Sequence, residues 1–312
     1  MEAESELRIV HKLVESSPKK GFLDKTKKVL AMQDSSGLTP LAAAVKHQAP
    51  IDCVMYVLKA CSKMTKVPDN EKRLPLHIAM THKAPNDPIV MALLDKNSRA
   101  TRALDQWLRT PLHSGMEFRA QVNAFKSVLA KYPKAADMLD SNKRYPLHLG
   151  MRWEAHKECI ELVIEANEDA LSKKDAFEHT PLHEGLARKA PHNCVKVLLD
   201  KCSRETIMEK DGTGKTCLHL GMEKGAGARV IEELLKKCPD LALEQDNDGN
   251  TPLHIGMMHK ARLDSINALL KGKPEAVQIK NNEEFTAYTL GRQYKTQPTC
   301  LEAVRKSGAE KK

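Results

Sequence analysis

Apolar positions along the chain recur with a long period, and the same order of residue types returns each time. A Leu follows a Pro at Pro40-Leu41, Pro75-Leu76, Pro111-Leu112, Pro146-Leu147, Pro181-Leu182 and Pro252-Leu253, while Cys217-Leu218 and Ala287-Tyr288 keep the same place. From Pro40 to Ala287 the steps are 35, 36, 35, 35, 36, 35 and 35 residues. A fixed period in the range of roughly 20–50 residues marks a stacked-repeat solenoid. Four residues after the proline position stands a column of small residues, Ala44, Ala79, Gly115, Gly150, Gly185, Gly221, Gly256 and Gly291. It predicts a short first helix that another backbone approaches closely. A second helix is predicted from the apolar pairs Val57-Leu58, Leu93-Leu94, Val128-Leu129, Leu198-Leu199, Leu234-Leu235 and Leu269-Leu270.

The polar positions between these elements repeat as well. Thr39, Thr110, Thr180, Thr216 and Thr251 precede the first helix, where a Thr caps free backbone donors and a following Pro suits the first helical position. Five residues before the Thr position stands an acid, Asp34, Asp69, Asp105, Asp140, Asp175, Asp211 and Asp246, with Asn281 last. Between them lie turn formers such as Ser35-Ser36-Gly37, Gly212-Thr213-Gly214 and Asn247-Asp248-Gly249. The helices are separated at Ala49-Pro50, Ala84-Pro85, Ala190-Pro191 and Gly225-Ala226-Gly227. The unit reads turn, short helix, turn, helix, loop.

This unit resembles the ankyrin repeat, whose Asp…Gly-x-Thr-Pro-Leu-His opening is matched best at Asp246 to His254 and Asp211 to His219. The resemblance implies an all-α repeat solenoid: an N-terminal capping repeat over 1–33, and seven repeats at 34–68, 69–104, 105–139, 140–174, 175–210, 211–245 and 246–280. A C-terminal capping repeat with a basic tail follows over 281–312. It also implies that His77, His113, His148, His183, His219 and His254 hydrogen-bond backbone in the neighbouring hairpin. The chain departs from the family pattern in three ways. The period is two to three residues longer than the usual repeat. Gly-Met replaces Ala-Ala after the His, as at Gly221-Met222. The hairpin Gly gives way to Lys72, Leu108, Lys143, Glu178 and Glu284.

Composition narrows the class of molecule. Hydrophobic residues at 41% suffice for a core, while aromatics at 4% fit thin repeats sealed by aliphatic side chains. No apolar run is long enough to span a bilayer, and the acidic start Met1 to Glu6 lacks a signal-peptide core. The expected location is cytosol or nucleus, or a cytosolic structure such as the cytoskeleton. The net charge of +9, with clusters at Lys19-Lys20, Lys25 to Lys28, Lys271 to Lys273 and Lys311-Lys312, serves solubility or attraction to an acidic partner surface.

Apparent chemical sites dissolve once placed in the repeat. Cys53, Cys159, Cys194 and Cys300 share one position, Cys61, Cys202 and Cys238 another, and Cys217 replaces a proline. Thiols at fixed positions read as reduced packing residues. Gly212 to Thr216 looks like a phosphate loop, but the glycine such a loop needs earlier is Glu209. Motif histidines one repeat apart, about 10 Å in packed helices, cannot converge on a zinc ion whose nitrogens lie about 2.1 Å away. His156, His179 and His192 read as isolated. No nucleophile elbow or distinguished Cys occurs. The sequence therefore assigns no catalytic residue, no cofactor, no metal and no small-molecule substrate.

Positions that fail to repeat are free to encode a partner. At the end of the first helix stand His47, His82, Phe118, Trp153, Arg188, Lys224, His259 and Tyr294; hairpin tips add Arg73, Trp107, Arg109, Arg144 and Phe177. In ankyrin-like stacks these places line the concave groove. Arg73, Trp107, Arg109, Phe118, Arg144, Trp153, Phe177 and Arg188 are the expected protein-binding residues, since central Trp and Arg side chains each contribute about 2 kcal/mol or more to interfaces. The competing reading packs Trp107 on its own hairpin and Trp153 on a loop. The expected function is a non-catalytic scaffold, adaptor or fixed subunit that holds other proteins through this groove. The alternatives are an enzyme inhibitor or a nucleic-acid binder, against which Glu117, Glu154 and Glu223 stand among the groove's basic residues.

Overall fold

The computed structural model describes residues 32–81 and 87–309. The N-terminal cap expected over 1–33, the lysines from Lys19 to Lys28, His82, Ala84-Pro85 and the final lysines lie outside them, apart from residues 32 and 33. Contacts divide the chain into two compact units, 1–150 with 165–167, and 151–164 with 168–312.

The first unit contains α1 (Pro40–Lys46), α2 (Ile51–Ala60), α3 (Pro75–Thr81), α4 (Asp87–Lys96), α5 (Pro111–Glu117) and α6 (Val122–Lys131). Helix α7 (Pro146–Arg152) carries the division between units, and α8 (Lys157–Ala166) belongs mostly to the second. The second continues with α9 (Pro181–Ala187), α10 (His192–Lys201), α11 (Arg204–Met208), α12 (Cys217–Lys224), α13 (Ala228–Lys237), α14 (Pro252–Met258), α15 (Leu263–Gly272), α16 (Ala287–Gln293) and α17 (Pro298–Ala309). Helices account for the regular structure of the described residues, with isolated bridges such as Lys210 to Thr216 at hairpin bases. The fold is the all-α repeat stack that the sequence predicts. First helices pack on first helices of the next copy and second on second: α1–α3–α5 and α2–α4–α6 in one unit, α9–α12–α14–α16 and α10–α13–α15–α17 in the other. Short 3-10 turns such as Ser62–Lys66, Pro133–Asp137 and Pro274–Gln278 follow the second helices and hold residues of the lengthened period.

The hairpins explain the Asp column. Asp105 Oδ1 accepts from the backbone N–H groups of Trp107 and Arg109, both at 2.9 Å. Asp69, Asp140, Asp175, Asp211 and Asp246 do the same in their own turns. The hairpins at Asn70, Gln106, Ser141, Asn247 and Asn282 each donate one backbone bond to the preceding copy, as Gln106 N–H does to Glu71 O (2.9 Å) and Asn247 N–H to Thr213 O (3.1 Å). The missing hairpin glycines leave ordinary residues in the left-handed region: Lys72 at φ 61°, Leu108 at 59°, Lys143 at 56°. Glycine remains at Gly37, Gly214 and Gly249, where a Cβ would lie 2.3 to 2.5 Å from Oδ1 of Asn70, Asn247 and Asn282 in the next hairpin. An Asn folded over the preceding turn excludes any side chain there.

The small-residue column has a different cause from the one expected. The group that a Cβ would strike is the methyl end of a methionine from the preceding copy rather than another backbone. That distance is 2.6 Å from Gly115 to Met80 Cε, and 2.5 Å for Gly185 to Met151, Gly256 to Met222 and Gly291 to Met257. At these four junctions the Gly-Met departure is thus one device, in which the Met fills the notch left by the Gly of the next copy, while at Gly221 the facing group is Leu186 Cδ1 at 3.1 Å.

Candidate functional site

The motif histidines are fully committed to scaffolding. At the start of α5, His113 Nδ1 accepts the Thr110 backbone N–H (3.2 Å) and lies 2.9 Å from its hydroxyl, which places the ring proton on Nε2. That proton donates to Arg144 O at 3.2 Å. His77, His183, His219 and His254 make the same bond to the carbonyls of Arg109, Lys215, Asn250 and Phe285; His148 Nδ1 accepts from Tyr145 N–H. Burial disfavours the charged ring and outweighs these bonds, so His77, His113 and His219 fall to about 4. His183 falls to about 4 through burial and its neighbour His179. The expectation drawn from the family holds at His77, His113, His183, His219 and His254.

Cysteines behave likewise. All eight are free thiols, and all but Cys61 are buried. Cys194 and Cys300 donate weakly to Ala155 O and Ala261 O at 3.7 Å, where Ser265 makes the equivalent bond to Ala226 O at 2.8 Å. Burial pushes the thiols of Cys159 and Cys202 up to about 12, far from the thiolate that nucleophilic chemistry needs. In the phosphate-loop lookalike, Gly214 sits at φ 78° in an ordinary hairpin and Lys215 Nζ pairs with Glu223 at 2.7 Å.

The residues expected to bind protein fall into two groups, one in each unit. In the first, Arg109 ties Trp107 to its hairpin and to the end of α5. Its Nε donates to Asp105 Oδ2 (2.8 Å), its guanidinium lies 4.3 Å over the Trp107 ring, and one branch pairs with Glu117, the last residue of α5. Phe118 follows directly. Trp107 and Phe118 remain 39% and 41% exposed, so the tryptophan packs on its own hairpin and still presents a face. Arg73 and Arg144 are clamped to Asp69 and Asp140 of their own turns, at 2.8 and 2.7 Å. They shape the hairpins more than they offer free charge.

In the second unit Trp153, Phe177 and Arg188 converge on a residue that the sequence reading passed over. Glu184 is buried in α9, in a column that is otherwise Ala43, Ile78, Ser114, Leu149, Leu220, Ile255 and Leu290. Arg152 reaches its Oε2 at 3.1 Å and stands 5.7 Å over the Trp153 ring. Arg188 approaches it at 3.9 Å. His179 Nδ1 lies 3.2 Å from Glu184 Oε1, and its Nε2 lies 3.5 Å from Asp211 Oδ2. Phe177, 63% exposed, tilts on His179 with ring centroids 6.2 Å apart. Burial opposes charge on His179, but its bonds to Asp211 and Glu184 prevail and push it up to about 9. Burial alone would raise Glu184; the His179 bond and the Arg152 charge bring it below its ordinary value. His179 is therefore not isolated. The signal available in the sequence was a charged residue in an apolar column, with a His where Arg73, Arg109 and Arg144 stand.

Comparison with known proteins agrees with this construction. Residues 186–282 match a family model described as ankyrin repeats (3 copies). No curated protein sequence matches the chain. Among solved structures, the ankyrin repeat domain of Bcl-3, described as a unique member of the IkappaB protein family, aligns with a TM-score of 0.57 at 19% identity, over 76% of this chain and 100% of that one. The human ASB11 ankyrin repeat domain aligns with a TM-score of 0.60 at 17% identity, over 75% of this chain and 98% of that one. At such identities the likeness establishes the fold.

Proposed function

We propose that this chain, whose repeats are ankyrin repeats, is a non-catalytic protein-interaction module that serves as a scaffold, adaptor or fixed subunit. Ankyrin repeats generally bind other proteins. The finer reading rests on one observation: Trp107 stacks under Arg109 and keeps an exposed face on a framework whose motif His and Cys side chains are absorbed by scaffolding. Stacked, partly covered aromatics beside arginine lose little conformational freedom on binding, which is why they anchor interfaces. In the second unit Trp153, with Phe177 and Arg188, offers a further proposed contact group. Partners with acidic patches suit the positive net charge.

Affinity purification of the full chain at native salt, read by quantitative mass spectrometry, tests the proposal. Trp107→Ala combined with Trp153→Ala should reduce partner recovery at least tenfold and leave the far-ultraviolet circular dichroism intact. Equal recovery by the double variant would refute it. Steep salt-sensitive binding to DNA or RNA would favour the nucleic-acid alternative instead. No helix among the described residues is long and apolar enough to cross a membrane, and the reduced-thiol reading supports a cytosolic or nuclear site of action.

A further inference from the structure

The hairpin acids have two oxygens, and their second oxygen distinguishes one copy from the rest. Asp69, Asp105 and Asp140 each give Oδ2 to the Nε of an arginine four residues on, at 2.8 to 2.9 Å. In the copy that begins at Asp175 the arginine place is taken by His179, whose ring turns to Glu184 and Asp211. Asp175 Oδ1 still holds the turn through Phe177 and His179 N–H. Its Oδ2 is buried without a hydrogen-bond partner, on a residue only 5% exposed. A buried carboxylate oxygen with no donor is unfavourable unless a cation satisfies it.

The groups around it have the makings of a ligand set. Asp175, His179 and Glu184 each offer a ligand atom within 4.8 Å of the others. The Nδ1 to Oε1 separation of 3.2 Å matches the roughly 3.4 Å between two ligands on a tetrahedral ion at about 2.1 Å. Glu184 keeps Oε1 for this purpose because Arg152 engages Oε2 more closely. Behind the imidazole, Asp211 accepts from Nε2, the carboxylate–histidine arrangement that orients a metal-bound ring.

We infer that Asp175, His179 and Glu184 form a binding site for a divalent transition metal of the zinc class, with Asp211 as the positioning carboxylate. One imidazole nitrogen with two carboxylate oxygens suits zinc and its neighbours better than calcium or magnesium, which take oxygen alone. The groups that face His179 are the carboxylates of Asp175, Glu184 and Asp211 and the neutral ring of His183, with Arg152 and Arg188 beyond Glu184.

Calorimetric titration of the full, reduced chain with zinc chloride tests the site. The expected result is one equivalent bound. Asp175→Asn and His179→Gln each should weaken it tenfold or more, and Asp211→Asn by about 10-fold. His192→Gln, which alters a histidine paired elsewhere with Glu233, should leave it unchanged. Asp175→Asn retains the Oδ1 acceptor, and an unchanged melting temperature without metal confirms its fold. Absence of binding at millimolar zinc, or the same isotherm for wild type and the Asp175 and His179 variants, overturns the inference.

Discussion

Replacing Gly256 by alanine sets two terms against each other. The new Cβ would stand 2.5 Å from the Met222 methyl, 3.2 Å from Ile266 Cδ1 and 3.5 Å from Ala261 Cβ. Overpacking of this kind costs about 1–3 kcal/mol, while removing a helical glycine returns about 1 kcal/mol. The obstacle is the tip of a flexible side chain, so we expect a net loss of about 1 kcal/mol. Met222→Val alone empties the notch and should destabilise by about 1–2 kcal/mol. In the double variant the alanine fills what the valine vacates, reproducing the residue types of Val45 and Ala79, which occupy the same two columns earlier in the chain. Its stability should return to within about 0.5 kcal/mol of wild type, a coupling of about 2–3 kcal/mol. Urea unfolding followed by circular dichroism measures all four corners. Additivity within about 0.5 kcal/mol would refute the notch-and-methyl account. Gly249→Ala is the contrasting control. Its Cβ would meet Asn282 Oδ1 at 2.4 Å and the Asn282 backbone nitrogen at 2.6 Å, at φ 76°, so trimming the asparagine to alanine should not rescue it.

Two further predictions concern protons and backbone strain. His77, His113, His183 and His219 are held near 4 in the fold against 6.5 as a free group. The unfolded chain binds those protons first, and stability should fall as pH drops from about 6.5 toward 4, by about 1.4 kcal/mol per pH unit for each ring. His179, held near 9, acts oppositely: its contribution is complete below 6.5 and disappears as pH rises through about 9. A melting temperature that stays flat from pH 7 to 9 in wild type, or still declines in His179→Gln by the wild-type amount, would contradict this. Lys143→Gly should raise stability by about 0.5–1 kcal/mol, because relief of left-handed strain exceeds the added freedom of glycine in the unfolded chain. Chemical denaturation would detect that gain, and a loss would show that the Lys143 side chain contributes more than its backbone costs.

Much of the scaffold was legible because each repeated residue serves a local need. Thr caps a helix, Asp closes a turn and His bridges to the next hairpin, so the register alone gave the helix pairs and removed the cysteines, motif histidines and Gly212 to Thr216 from consideration as chemistry. The notch at Gly256 was misread because a small residue signals close approach without naming what approaches; Met222 lies a whole repeat away in sequence. The cluster at Glu184 was missed for a related reason. His179 and Asp211 belong to successive hairpins, and only stacking places Asp211 behind the ring that faces Glu184. Trp107, Phe118 and Trp153 were legible as exceptions to the pattern, whereas the commitment of Arg73 and Arg144 to their own turns depends on side-chain direction that spacing does not encode.

The histidine bridges run one way only: His77, His113, His183, His219 and His254 each lend the ring to the hairpin that comes after. At residue 289 the column holds Thr289, whose hydroxyl donates to Thr286 O inside its own helix, and the relay stops at Phe285. Where the protein is cut therefore matters in a polar sense. A fragment that stops between His254 and Phe285 removes the acceptor of the His254 N–H, while one that stops after α16 keeps the acceptors of all five rings. Fragments shortened from the front lose rings without orphaning any, so the two directions of truncation are energetically unequal.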